Sequence, residues 1–163
     1  PDRVASMTSI MSTTGDPAVG QAAPEALGAL LSPPPTSRDE AVEQMVKTFR
    51  VIGSPAYPAD EADLRGQAAS DYDRCFYPQG TARQLLAIMA TGDRTEALRG
   101  VTAPTLVIHG EADPLVNVSG GRATAAAIPG ARLVTFPGVG HDIPRLLLRE
   151  HVEAIVENAR RAG

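Results

Sequence analysis

Apolar residues fall along this chain in two ways: in short unbroken runs near its two ends, and at helical spacing through its middle. Thr105-Leu106-Val107-Ile108 follows Ala103-Pro104 and is a continuous run of the kind found in a strand covered on both faces. His109-Gly110 closes it, and residues 111–114 form a loop. An alanine-rich helix is expected over residues 119–128, closed by Pro129-Gly130. Residues 131–136 (ARLVTF) read as a second strand, PGVGHDIP at 137–144 as a loop, and residues 145–162 as a last helix. In that helix Leu148, Val152, Ile155, Val156 and Ala159 recur at helical spacing and leave Arg149, Glu153, Glu157 and Arg160 outside. Strand, helix, strand and helix in that order predict a parallel β-α-β unit with a right-handed crossover. At the other end, residues 4–11 (VASMTSIM) are small, β-branched or apolar and read as a third, buried strand.

Between these ends no β-rich run occurs. Ser37 followed by Glu40 forms a capping box, and Val42, Met45, Val46, Phe49 and Ile52 make an apolar stripe behind it, stopped by Gly53 and Pro55. A second helix is expected over about residues 59–76 and a third over about 81–91, through Leu85, Leu86, Ile88 and Met89. Pro33-Pro34-Pro35 and Tyr57-Pro58 are turn material. Residues 16–98 therefore read as a small helical insertion, without internal repeats, between the first strand and the second.

Composition adds constraints. The 163 residues suffice for a real core, and 43% hydrophobic with 21% charged residues is ordinary for a globular chain. The net charge of −4 and the lack of any Lys/Arg run argue against a nucleic-acid partner. One cysteine, Cys75, forbids an internal disulfide, which agrees with a reducing, cytoplasmic location. No apolar run approaches the roughly 20 residues of a membrane span. The chain opens PDRVASMTSIMSTTG, without an initiator Met or a signal-like segment, and with a strand so near the start it is expected to be a piece of something longer.

Ligands and reactive groups of parallel sheets gather beyond the carboxyl ends of the strands. Asp113 lies just past one strand end and His141 just past the next, so two adjacent loops can bring them together. A histidine whose Nδ1 donates to a buried carboxylate is fixed in one tautomer, with Nε2 free to take a proton from a nucleophile. On spacing alone His141 is equally readable as a surface-loop histidine. Glu111 competes with Asp113 as the acid, and Asp142 is expected to be a solvated neighbour of His141. His109 reads as a packed histidine bonded to backbone, His151 as a solvated helix residue, and Cys75 as a buried, inert thiol. Tyr57, Tyr72, Phe76, Tyr77 and Met89 either line an apolar pocket or pack the insertion's own core. No metal-ligand cluster is visible.

The stretches APTLVIHGEADPLV and IPGARLVTFPGVGHDIP resemble the C-terminal third of α/β-hydrolase fold enzymes, and nearest among them small serine esterases and methylesterases. PDRVASMTSIMSTTG looks like the sixth strand of that fold. The resemblance implies a partial α/β-hydrolase fold: three parallel strands forming one edge of the sheet, flanking helices and an α-helical cap. Residues 1–15 would carry the core strand, 16–98 the cap or lid, and 99–163 the part of the core with the acid and the histidine. It further implies that Asp113 is the triad acid and His141 the triad base, with Tyr72, Phe76, Tyr77 and Met89 on the substrate side of the cap.

The family's nucleophile elbow, G-x-S-x-G, is not found in these residues; neither Gly53-Ser54 nor Ser119-Gly120-Gly121 fits it. The resemblance therefore implies a small-molecule ester substrate and no cofactor. It also implies a missing N-terminal part of the same protein that brings the nucleophile. Dehalogenases and epoxide hydrolases, which attack through Asp, and Ser-dependent perhydrolases share this half of the fold, and a non-catalytic interaction module is a further alternative. The bare outer edge of the strand at 4–11 is expected to invite self-association.

Overall fold

The computed structural model of the chain describes residues 3–163. Its elements run β1 (Met7–Ile10), α1 (Pro24–Leu30), α2 (Arg38–Ile52), α3 (Glu61–Arg74), α4 (Pro78–Thr91) and α5 (Thr95–Leu98). They continue with β2 (Thr105–Gly110), α6 (Val118–Ala127), β3 (Arg132–Phe136), a 3-10 turn at Arg145–Leu147 and α7 (Leu148–Arg160). The three strands form one parallel sheet in the order β1-β2-β3. This is a partial α/β-hydrolase fold. β2 is central and buried along its whole length, as its unbroken apolar run requires.

The first strand is shorter than the pattern at 4–11 suggests. Met7 pairs with Thr105 and Ile10 with Ile108. Before Met7 the neighbouring chain is Ala103-Pro104, and Pro104 has no N–H to give a ladder; its carbonyl accepts the Met7 N–H at 2.9 Å. Val4 consequently stays out of the sheet and is exposed. Met11 ends the strand in a left-handed conformation (φ 48°), its N–H donating to the Ile108 carbonyl at 2.9 Å. Among the described residues no strand pairs with the outer edge of β1.

The regular elements between β1 and β2 are all helices, as the pattern predicts, with α1 and α5 in addition. Ser37 caps α2 by accepting the Glu40 N–H, while Glu40 reaches back to the Thr36 N–H and hydroxyl, one residue beyond the expected position. The stripe behind the cap faces inward, with Val46 and Ile52 buried. Helix α4 differs: none of its residues is buried, and Leu86, Ile88 and Met89 are exposed. No helix is long and apolar enough to cross a membrane among the described residues.

The last helix is rotated relative to its hydropathy pattern. Leu148 and Val152, expected inside, are 53% and 48% exposed, whereas His151, expected to be solvated, is buried, and so is Asn158. Asn158 donates to the Met7 and Pro104 carbonyls at 2.9 and 3.2 Å, tying α7 to β1 and to the entry of β2. The His151 ring stacks on Phe136 at 4.2 Å, and its Nδ1–H donates to Leu147 O. Two polar residues therefore select the packed face. Asn158→Ala should lower unfolding free energy by about 1–3 kcal/mol, because a buried side chain is truncated and two half-buried carbonyls lose a donor. Val152→Ala should stay within about 0.5 kcal/mol. Urea denaturation of both variants checks the ordering.

Candidate active site

β2 and β3 are in parallel register, with Leu106 opposite Arg132 and Gly110 opposite Phe136, so both strands deliver their following loops to one edge. The loops are then stitched together. The Glu111 N–H donates to Phe136 O at 3.0 Å and the Ala112 N–H to Val139 O at 2.9 Å. At Gly110 a side chain would not fit: a Cβ there would lie 2.3 Å from Val139 O and 2.5 Å from Gly140 O.

Asp113 and His141 meet across this seam. Asp113 is buried, and its Oδ1 accepts the N–H groups of Leu115 and Val116 at 2.8 Å each. Its Oδ2 accepts from His141 Nδ1 at 2.8 Å. His109 Nε2 stands 3.5 Å from the same oxygen. Burial pushes the Asp113 carboxyl up, but the polar groups around it, the His109 ring close by and hydrogen bonds from His141 and the Val116 N–H, outweigh it and hold the group well below the usual carboxylate range. The His141 side chain is partly exposed, and with Nδ1 engaged, Nε2 is the ring nitrogen open to a reacting group.

His109 is fully buried, and its Nε2–H donates to Val116 O at 2.7 Å, the backbone bond expected of a packed histidine. Its ring lies against α6, where a Cβ on Gly121 would come within 2.3 Å of Nδ1, so Gly121 makes room for it. Glu111 points elsewhere and accepts from Thr135 Oγ1 at 2.7 Å. Asp142 is not merely solvated: its Oδ1 accepts from the Ser54 hydroxyl. His151, on α7, is buried against Phe136 at the carboxyl end of β3 rather than solvated. Cys75 is exposed rather than buried, because it falls at the C-cap of α3.

A cleft of about 910 Å³ opens beside His141, walled by Phe49, Tyr57, Leu64, Ile143 and Leu146 and crossed by an Arg145–Asp63 ion pair at 2.7 Å. Of the aromatic residues singled out in the sequence, Tyr57 is the one that lines it. Tyr72 stacks on Phe76 at 4.6 Å, and Phe76 and Tyr77 line a separate cavity of about 540 Å³ with Leu30, Pro35 and Leu85. Met89 stands 72% exposed on α4. Tyr72, Phe76, Tyr77 and Met89 are thus not gathered around His141. Among the described residues no group of three or more His, Cys, Asp or Glu is placed to hold a metal ion. Ser54 is the site residue that the pattern did not reveal. A buried hydroxyl whose partners lie 86 and 88 positions away leaves no local signature.

Comparison with known proteins adds the following. The profile of a family described as serine aminopeptidase, S33, matches residues 38–145. Rhodomycin D methylesterase of Streptomyces peucetius is 27% identical over 135 residues, covering 82% of this chain and 45% of that protein. A meta-cleavage product hydrolase from Pseudomonas fluorescens superposes with a TM-score of 0.67 at 19% identity, over 97% of this chain and 56% of its own. An esterase from a Rhodococcus species gives 0.66 at 21% identity, over 98% and 57%. The chain spans about half the length of the relatives it matches.

The depressed Asp113 carboxyl has a consequence for stability. A carboxyl held below its unfolded value, about 3.9, contributes stability that is complete above that pH. The contribution is lost as pH falls below about 4 toward the folded value. Asp113→Asn should therefore flatten the acid limb of a melting-temperature profile below about pH 4 and lower the plateau at neutral pH. Thermal melts across pH 2–8 read both effects.

Proposed function

Because the chain belongs to the serine aminopeptidase S33 family of α/β-hydrolases, we propose that it carries the acid and the base of a carboxylic ester hydrolase. Its serine nucleophile and oxyanion donors would lie in polypeptide outside these 163 residues. The observation that carries the proposal is the 2.8 Å contact between His141 Nδ1 and the buried Asp113 carboxylate, with His141 lining a cleft. In this scheme Asp113 holds the imidazole in the Nδ1–H tautomer. His141 Nε2 takes the proton from the serine hydroxyl as that oxygen attacks the ester carbonyl. The protonated ring then hands the proton to the leaving alcohol, and the cycle repeats with water to release the acid. Asp113 stays ionised and stabilises the imidazolium throughout.

The helical segment 16–98 acts as the cap in this scheme, and the cleft beneath Phe49 and Tyr57 receives part of the ester. A modest carboxylic ester, a methyl ester above all, is the substrate class that the likeness to rhodomycin D methylesterase supports. The 163 residues alone should turn over no ester, since they contain no G-x-S-x-G elbow.

In the protein that contains this sequence, His141→Ala should lower kcat by several orders of magnitude. Asp113→Asn should lower it by about 10⁴, the loss that a wrong tautomer causes in serine proteases. His151→Gln, away from the cleft, should lose far less. Steady-state rates on an activated ester and on a series of methyl esters check this. An unchanged rate in the His141 variant would end the proposal.

A further inference from the structure

The histidine loop has two neighbours, and only one is the acid loop. Its other side lies against residues 52–56, at the carboxyl end of α2, and the two segments run in opposite directions. The Ala56 N–H donates to Gly138 O at 3.1 Å, the Gly140 N–H to Ser54 Oγ at 2.9 Å, and the His141 N–H to Ile52 O at 2.7 Å. The Ser54 hydroxyl in turn donates to Asp142 Oδ1. The contact is backbone to backbone at its centre: a Cβ on Gly140 would lie 2.3 Å from Gly53 O and 2.5 Å from Ile52 O. Ile52 O is one of the terminal helix carbonyls that have no partner inside the helix, so α2 offers it at no cost to its own ladder.

We propose that Ser54 is a positioning residue for His141. One hydroxyl, on a residue only 4% exposed, accepts from the position before the histidine and donates to the position after it. Asp113 fixes the ring, while Ser54 and the end of α2 fix the backbone that carries the ring. Removing the hydroxyl leaves the buried Gly140 N–H without an acceptor and frees the Asp142 carboxylate, so two of the four hydrogen bonds between the loop and residues 52–56 are lost. The ring then samples positions from which Nε2 no longer meets the reacting oxygen, and small misplacements of that kind cost rate steeply. The proposal rests on His141 being the general base, but its physical content is loop order, which can be measured separately.

The test uses the natural protein that contains this sequence, as Ser54→Ala, Ser54→Thr and Asp142→Ala variants. Hydrogen–deuterium exchange is followed in the peptide covering 138–143 and in β2 as internal reference. Ser54→Ala should speed exchange at Gly140 and His141 about tenfold with β2 unchanged. It should also lower kcat on an activated ester by roughly 10- to 100-fold with KM nearly constant. Ser54→Thr, which keeps the hydroxyl, should restore both, and Asp142→Ala should share the faster exchange. Wild-type exchange at 138–143 in Ser54→Ala, or equal acceleration in β2, would overturn the inference. Were the wild-type protein to hydrolyse no ester, the functional proposal would fail, and exchange alone would decide whether Ser54 holds the loop.

Discussion

The close approach of the end of β2 to the histidine loop, Gly110 against Val139 and Gly140, is the constraint on which the candidate site depends. Parallel strands set β2 and β3 side by side, but strand spacing alone leaves the loops beyond them free to diverge. Here the carbonyls of Val139 and Gly140 occupy the place of a side chain at position 110, and hydrogen bonds from Glu111 and Ala112 close the seam. Asp113 and His141 are then 2.8 Å apart although 28 positions separate them. Any side chain at Gly110 would wedge the loops open and part the pair.

Burying the Asp113 carboxylate is costly unless its oxygens are occupied, and the fold occupies both. Two backbone N–H groups of the following turn take Oδ1, and His141 takes Oδ2 with His109 close by. The result is an anion assembled before any ligand arrives. The imidazole beside it is held from three directions: ring to Asp113, N–H to the end of α2, and flanking residues to Ser54. Core and helical segment therefore converge on one residue, and the end of α2 is bonded directly to the loop that carries it.

The parts of this arrangement that were legible in the sequence are those written in contiguous residues. The unbroken run at 105–108, the alternation of strand and helix, and the positions of Asp113 and His141 just after strands all carry local signals, and the inward stripe of α2 is as regular in the structure as in the pattern. Illegible features depend on partners far along the chain. Helix α7 turns a face with His151 and Asn158 inward because Phe136, Met7 and Pro104 await them, and hydropathy counts both as outside residues. Residues 4–6 are as apolar or small as 7–10, but the proline opposite them ends the ladder. Ser54 was hidden for the same reason, since its partners lie in a distant loop, and the exposure of Cys75 follows from where α3 stops.

A single proton, the one between His141 Nδ1 and Asp113, defines the pair, and nitrogen-15 NMR of the imidazole locates it most directly. Spectra of selectively labelled protein at a pH where His141 is neutral should show Nδ1 protonated and Nε2 carrying the lone pair, with the tautomer lost in Asp113→Asn. A neutral His141 with its proton on Nε2, or the averaged signature of a free imidazole in the unsubstituted protein, would contradict the account.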